Sequence, residues 1–427
     1  MKRHLIGIGG VGMSALATAL VRLGDEVTGA DRTLGTPNIR FLESLGVKVY
    51  PDDGRGVDKS TDEVIVSTAI EETNAGLIKA KELGIPVTHR AKALARTLKN
   101  YKLIAVVGTC GKSTVTAMLG HVLSECGLDP MCVNGANVPG WEGAVRFGKG
   151  EYAVAEVDES DKSLVAFKPY AAIVTNASDD HYSKEEMDEV FDAFIRDCKG
   201  PVVDGRNVGI WKYENGEIDE LGNGGIGEWV TPLPGKHNLQ NAALAAKMAL
   251  DLGCQTDDIK RALSTFRGVE RRLQLLSPSH PLTLSPSPAV YDDYAHNPEK
   301  LKAMWTTLAE KHPEGICVIW RPHGYAPLRK MMDALAAMFV ETVRPCDKLL
   351  LLPVYDAGGT TDRSVNSDEL LNRIQTLKPS NPQTLQVADL DAAYAWCAAH
   401  KGDFAAFVTC GARDPGLQVL AKRLSEM

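Results

Sequence analysis

The run Ala105-Val106-Val107-Gly108-Thr109-Cys110-Gly111-Lys112-Ser113-Thr114 constrains this chain more than any other stretch. Leu103 to Val107 is short and wholly apolar, as a strand buried on both faces of a parallel sheet must be. Gly108 and Gly111 supply the backbone freedom of a tight turn. From Ser113 the apolar residues Ala117, Met118, Leu119, Val122 and Leu123 recur at helical spacing, and Gly127 follows as a C-cap. Strand, glycine turn and helix in that order leave amide N–H groups and a helix N-terminus to hold phosphate oxygens. Lys112 is then placed for β- and γ-phosphates, and the Ser113 hydroxyl for Mg²⁺. The form is the short Gly-Thr-x-Gly-Lys-Ser, with Val106 where a longer loop carries its first glycine.

A second glycine turn lies at the start. His4 to Ile8 reads as a strand running into Gly7-Ile8-Gly9-Gly10-Val11-Gly12, and a helical pattern continues through Met13, Leu16, Ala19, Leu20 and Leu23 to Gly24. Glu26 to Ala30 reads as the next strand, and Asp31 ends it, about 20 residues beyond Gly12. This layout seats a diphosphate on the helix N-terminus and offers Asp31 to a sugar hydroxyl. It does not say which nucleotide is bound, and by itself it also suits a nicotinamide dehydrogenase. Strands at Val64 to Ser67 and Ile85 to Thr88 and a helix at Ala91 to Leu98 complete a first α/β unit.

Past the phosphate loop, Tyr152 to Glu156 is another apolar run ending on an acid, and Glu156-Val157-Asp158-Glu159-Ser160-Asp161 crowds four carboxylates together. Such runs are usually solvated loops, but ligands gather at the carboxyl ends of parallel strands. Ala171 to Thr175 reads as a strand, followed by Asn176 and by Asp179-Asp180-His181. Glu156 and His181, at two strand ends, are candidates to face Mg²⁺ together with Ser113. Residues 200–232 read as hairpins or loops. Asn238 and Asn241 precede a helix from Ala242 to Leu252, three apart, with amides suited to a purine edge or to an N-cap. A Ser/Pro-rich stretch, Ser277 to Pro288, joins a third unit with strands at Ile316 to Trp320, Lys348 to Leu352 and Phe404 to Thr409.

Composition bounds the partners. A chain of 427 residues needs more than one domain. A formal charge of −8 argues against nucleic acid, which is neutralised by a basic surface. Nine cysteines, an odd number with no Cys-x-x-Cys pair, read as reduced thiols rather than a disulfide framework or zinc site. No leader precedes the first strand and no apolar run can span a bilayer, so a cytoplasmic protein without a membrane partner is expected.

In one order and spacing, these motifs resemble the ATP-dependent Mur ligases of peptidoglycan synthesis. The likeness rests on Gly7 to Ser14, Ser67-Thr68-Ala69-Ile70, Gly108 to Ser113, Glu156 to Asp161, Val174-Thr175-Asn176 and Gly235-Lys236-His237-Asn238. It continues through Gly268-Val269-Glu270-Arg271-Arg272, Asp292 to Pro298 and Pro322-His323. The resemblance implies an α/β chain of three domains: a Rossmann-like UDP-binding domain over 1–98, a central P-loop ATPase domain over 99–273, and a C-terminal Rossmann-like domain over 274–427. It implies ATP and Mg²⁺ as cofactors, and a UDP-N-acetylmuramate-type acid and an amino acid or peptide as substrates. L-alanine or a muramoyl-recycling tripeptide would be the amine donor.

Its implied catalytic residues are Lys112, Glu156, His181 and His296. The ATP set is Gly108, Thr109, Cys110, Gly111, Lys112, Ser113, Thr114, Asn238, Asn241, Arg272 and Asp293. The UDP-substrate set is Gly9, Gly10, Val11, Gly12, Asp31, Ser67 and Ala69, and the metal set Ser113, Glu156 and His181. The chain departs from the family pattern at Cys110, at Ser178, and at Gly324 and Pro327, where arginines are usual. Glu185 to Cys198 holds no lysine, in keeping with the alanine-adding branch.

Overall fold

The computed structural model describes residues 1–158, 163–177, 184–206, 211–214, 217–220, 231–276, 287–356, 362–379, 383–411 and 414–427. The acidic positions Glu159 and Asp161, and Ser178 to His181, lie outside the described residues.

The first sheet is built from β1 (Lys2–Ile6), β2 (Glu26–Asp31), β3 (Lys48–Pro51), β4 (Glu63–Val66) and β5 (Val87–His89), with α1 (Val11–Arg22), α2 (Pro37–Ser44), α3 (Ala75–Glu82) and α4 (Arg90–Thr97) between and after them. Its order is β3-β2-β1-β4-β5 and every pairing is parallel. β1 is central, so its carboxyl end, where the first glycine turn begins, lies at the reversal of strand order where such sheets bind ligands.

A central sheet follows: β6 (Lys102–Val107), β7 (Met131–Val133), β8 (Val145–Arg146), β9 (Tyr152–Glu156), β10 (Ala171–Val174) and β11 (Val202–Asp204). Helices α5 (Lys112–Glu125), α6 (Lys184–Ile195), α7 (Lys236–Asp251) and α8 (Thr256–Thr265) accompany it, and β12 (Trp211–Glu214) and β13 (Glu217–Glu220) form the hairpin expected within 200–232. The order is β11-β10-β6-β9-β7-β8. The phosphate-loop strand β6 is therefore flanked by β10, which leads into Asn176, and by β9, which ends in Glu156.

The third sheet holds β14 (Gln274–Leu275), β15 (Ala289–Asp293), β16 (Ile316–Trp320), β17 (Lys348–Leu351), β18 (Thr384–Gln386) and β19 (Ala406–Cys410). Its helices are α9 (Pro298–Lys311), α10 (Tyr325–Thr342), α11 (Ser367–Leu377), α12 (Leu390–Ala399) and α13 (Pro415–Ser425). The order is β14-β15-β19-β16-β17-β18, parallel except for β14.

By compactness the chain divides into Met1–Val269 and Glu270–Met427. Within the first unit, one apolar cluster runs from Leu5, Leu16, Leu20 and Leu94 of the first sheet and its helices to Val107, Met131, Ala153 and Phe191 of the central sheet. The two sheets thus share a core. Each fully buried leucine or phenylalanine in it contributes roughly 1.5–3 kcal/mol. The second unit carries its own core on both faces of its sheet, around Trp305, Trp320 and Phe339 on one side and Phe407, Leu417 and Leu420 on the other. Short strands β3, β7 and β8 have too few residues to show a period and were not anticipated. Among the described residues, no helix is long and apolar enough to cross a membrane.

Candidate functional site

The phosphate loop leaves β6 with Gly108 at φ +129° and continues to Gly111 at φ +84°, both in the left-handed region that glycine alone enters without strain. Gly108 has a second reason to lack a side chain: a Cβ there would stand 2.1 Å from Thr175 Oγ1. The residues after β10 clamp the loop from that side. The Asn176 side chain accepts from Thr109 Oγ1 at 2.7 Å and from the Cys110 amide at 3.0 Å, and its own Nδ2 donates to Cys110 O at 3.0 Å. Thr175 Oγ1 donates to the same carbonyl at 2.6 Å. The sequence places Thr175 and Asn176 at a strand end and within a motif of the resemblance; their part in shaping the loop depends on β10 pairing with β6, with Val174 opposite Val107.

Helix α5 starts on Gly111 with no side-chain cap and no acid in its first turn. By contrast, α2 and α3 are capped by Thr36 and Asn74. The uncapped N–H groups and the helix dipole favour an anion there. Lys112 donates to Gly108 O at 2.6 Å, so its ammonium lies back over the loop. Ser113 and Thr114 are buried at the start of the helix.

On the other side of β6, Val106 pairs with Glu156. The Glu156 carboxylate accepts from the Gly135 amide at 2.7 Å. A Cβ on Gly135 would lie within 2.6 Å of both carboxylate oxygens, so glycine is required for this approach. Neutral and acidic groups therefore flank one phosphate loop: an amide on the β10 side and a carboxylate on the β9 side. Among the described residues no three His, Cys, Asp or Glu side chains converge as a metal cluster. The set Ser113, Glu156 and His181 includes one serine and one position outside those residues. Its hard oxygen donors suit Mg²⁺, and the buried Asn134 Oδ1 beside Glu156 has no hydrogen-bond partner.

The asparagine pair differs from its sequence reading. α7 begins at Lys236 on Gly235, so Asn238 and Asn241 sit inside the helix and neither is its N-cap. Both are buried. Asn238 Nδ2 donates to Pro234 O at 2.7 Å and Asn241 Nδ2 to Asn238 Oδ1 at 3.3 Å. Asn241 Oδ1 faces the phosphate loop, where a Cβ on Gly111 would meet it at 2.7 Å. The packing of α7 on α5 turns these amides toward each other and the loop.

The first sheet carries a separate glycine site. Gly7 has φ +73°, and the Gly9 amide donates to Asp31 Oδ2 at 2.8 Å. Asp31 Oδ1 accepts from the Thr33 amide at 2.9 Å, and Asn38 Nδ2 donates to Gly9 O at 2.9 Å. Asp31 thus shapes the turn before any sugar reaches it. α1 starts on Gly10, again without a side-chain cap. Ser67 and Ala69 belong to the turn after β4, whose Ile70 packs on Gly7. This brings Gly9, Gly10, Val11, Gly12, Asp31, Ser67 and Ala69 to one sheet edge. The guanidinium of Arg90, at the start of α4, lies against Gly12, where a Cβ would stand 3.1 Å from it. Sequence reading passed over Arg90 because only folding places it beside the turn.

In the second unit, Asp292 and Asp293 are both buried. Asp293 accepts from the Leu273 and Ala295 amides, each at 2.7 Å. Burial pushes its carboxyl above the usual range, opposed by those amides and by Arg272 and Arg271. Asp292 accepts from Thr409 Oγ1 at 2.7 Å and pairs with Arg271 Nε at 3.0 Å, yet burial raises it to about 6. Arg272 stands 5.4 Å from the Tyr294 ring centroid. His296 Nδ1 contacts Tyr294 O at 2.9 Å. A carbonyl only accepts, so Nδ1 carries the proton and Nε2 keeps its lone pair. Burial holds His296 neutral, at about 4, and His323 packs edge-on against it at 4.8 Å between centroids. Arg272, Asp293 and His296 therefore share the carboxyl edge of the third sheet.

Residues 2–102 match the family described as Mur ligase family, catalytic domain, and residues 271–413 match the Mur ligase, glutamate ligase domain. The chain is 30% identical to a UDP-N-acetylmuramate–L-alanine ligase of Rhizobium etli, covering 99% of this chain and 96% of the relative. It is 33% identical to the corresponding ligase of a Cyanothece strain, over 86% of this chain and 84% of that one. Among solved structures, UDP-N-acetylmuramate–alanine ligase MurC from Thermotoga maritima superposes with a TM-score of 0.81 at 25% identity, covering 100% of this chain and 98% of that one. A murein peptide ligase from Psychrobacter arcticus shares the fold, with a TM-score of 0.67 at 20% identity over 99% and 98%.

Proposed function

Because the chain belongs to the Mur ligase family, we propose that it is an ATP-dependent, ADP-forming ligase that joins L-alanine, or a related amino acid or peptide, to UDP-N-acetylmuramate in peptidoglycan synthesis. One observation carries the reading: the uncapped phosphate loop lies between the Asn176 clamp and the Glu156 carboxylate, at one edge of one sheet.

The chemistry follows from the groups present. The muramoyl carboxylate takes the terminal phosphoryl group of ATP, forming a C–O–P bond as the β–γ bridge breaks. The donor amine then forms the amide C–N bond, loses a proton, and phosphate leaves. Phosphoryl transfer asks mainly for alignment and charge neutralisation. The loop amides of Thr109 to Lys112 and the start of α5 hold the phosphates, and Lys112 leaves Gly108 O to reach the terminal one. Asn241, pressed on Gly111, keeps the loop in shape. Ser113, Glu156 and His181 would hold Mg²⁺, which neutralises phosphate charge when bound. The first glycine turn, with Asp31, Ser67 and Ala69, takes the UDP portion, and Arg90 adds a cation for its diphosphate. His296, neutral with a free Nε2, is suited to take the amine proton. Arg272 and Asp293 are assigned to the nucleotide, with Asp293 acting through the backbone it staples.

L-alanine is the donor printed for the Rhizobium and Cyanothece relatives. A peptide donor is the second reading, favoured by one observation: among the described residues, a Cβ on Gly324 at the start of α10 would meet only Pro327, at 3.6 Å. We assign the protein to the cytoplasm, in keeping with its nine free thiols. The test is ADP release that requires both UDP-N-acetylmuramate and an amine, across L-alanine, other amino acids and a muramoyl tripeptide. Lys112→Ala should abolish it; full turnover in that variant ends the assignment.

A further inference from the structure

Among the described residues, two polar atoms behind the phosphate loop have no partner. Asn134 and Thr116 are 2% and 0% exposed, and Asn134 Oδ1 and Thr116 Oγ1 make no hydrogen bond. Buried polar atoms of this kind are nearly always satisfied, by protein, solvent or ligand. Their places in the fold are linked. Asn134 follows β7, and the register pairs Val133 with Ala155, so Asn134 lies beside Glu156. Cys132 and Val154 pack in the cluster that contains α5. Residues two apart on a strand share a face, so Asn134 and Glu156 lie on the α5 face. α5 crosses there, because a Cβ on Gly120 would stand 2.6 Å from Cys132 Sγ. Thr116 is one helical turn nearer the phosphate loop than Gly120, just as Asn134 is one strand repeat nearer the carboxyl edge than Cys132. Thr116 and Asn134 thus share the layer between α5 and the sheet, toward the carboxyl edge where Glu156 lies.

We propose that Thr116 and Asn134 are positioning residues for the divalent cation of the phosphate loop, their oxygens accepting the two protons of a water held by that ion. This rests on the assignment of Ser113 and Glu156 to the cation. Mg²⁺ sheds water reluctantly and keeps part of its hydration shell when bound. A metal-held water spends its lone pair on the ion and offers only protons outward. Asn134 Nδ2 is committed to Ala136 O at 3.0 Å, which leaves the amide oxygen, a pure acceptor, as its free atom. The Thr116 hydroxyl accepts equally well. Two neutral acceptors orient the water without adding negative charge beside the phosphates, as another carboxylate would.

The experiment measures affinity of the full chain for a nonhydrolysable ATP analogue by calorimetry, with Mg²⁺ and with EDTA, and the thermal midpoint without ligand. Thr116→Val and Asn134→Ala should each lose about tenfold of the magnesium-dependent gain in affinity, the usual effect of removing an outer-shell partner. Their affinity in EDTA should match that of the parent. Thr116→Ser should keep the gain, and the Thr116→Val midpoint should stay at or above the parent's, since an unsatisfied polar group has been removed. A full gain in Thr116→Val, or a loss of the same size in EDTA, overturns the proposal. Glu156→Gln separates the two readings. If it keeps the gain, the cation assignment itself fails; if it alone loses the gain, only the water-holding role fails.

Discussion

The two glycine turns of the first unit are held by side chains of different charge. Each follows the central strand of its sheet, and each feeds a helix that begins on glycine without a side-chain cap. In the first, the turn amide of Gly9 is held by a carboxylate, Asp31. In the second, the turn amide of Cys110 is held by a neutral amide, Asn176, and a lysine leans on the loop. A carboxylate inside an anion site opposes a heavily charged ligand but can receive a sugar hydroxyl. A neutral clamp with a lysine over the loop suits a triphosphate. The difference supports the proposed assignment, with the UDP portion at the Asp31 turn and the triphosphate at the Lys112 turn.

Backbone strain should separate the two turns most sharply. Gly108→Ala places a Cβ against Thr175 at a positive φ and should cost about 3–5 kcal/mol, with loss of ADP formation. Gly10 has φ −66° and open surroundings, its added Cβ meeting only Gly7 O at 3.5 Å. Gly10→Ala should therefore cost less than about 1 kcal/mol. Urea titration of both variants decides; equal losses would erase the contrast. Next come the clamps. Asn176→Ala leaves the Cys110 amide and carbonyl short of partners, for about 2–3 kcal/mol, and should weaken ATP while sparing the UDP-sugar. Asp31→Ala should cost about 1–2 kcal/mol and do the reverse. Calorimetric titration with each nucleotide reads both variants, and crossed effects would mean the turns have been assigned the wrong way round.

The smallest effect concerns His4 on β1. Burial lowers it to about 4, opposed by the charges of Asp52 and Asp58, and its Nδ1 lies 2.9 Å from Thr28 Oγ1. A histidine held below its ordinary value stabilises the fold above pH 6.5, and that stability is lost as pH falls toward 4. Between pH 6.5 and 5.5 the loss should be about 1 kcal/mol. His4→Gln should flatten that slope in urea midpoints. An unchanged slope would show that His4 contributes nothing to acid sensitivity.

Much of this was legible in the chain itself. The apolar runs before Gly7 and Gly108, and the helical spacing after them, announce strand, turn and helix because those periods follow from backbone geometry alone. Glu156 was legible as the end of a strand beside the phosphate loop, because it closes an apolar run, and the register sets it opposite Val106. Other features were silent. β7 is three residues long, too short for any period. Asn238 and Asn241 read as amides for a purine edge or an N-cap, but their direction depends on how α7 packs on α5. Arg90 and Asn134 carry no local signature, and the motif at Asn176 does not show which loop it clamps, since each acts on a segment distant in sequence.

Local order and element type were thus determined by the sequence, through the spacing of apolar residues and the placement of glycine. Tertiary structure alone decided which strand ends flank the phosphate loop, which polar atoms were left without partners, and that the first two sheets share a core. Those outcomes depend on strand order and helix packing, which are settled by burying apolar faces that neighbours in sequence cannot cover for one another.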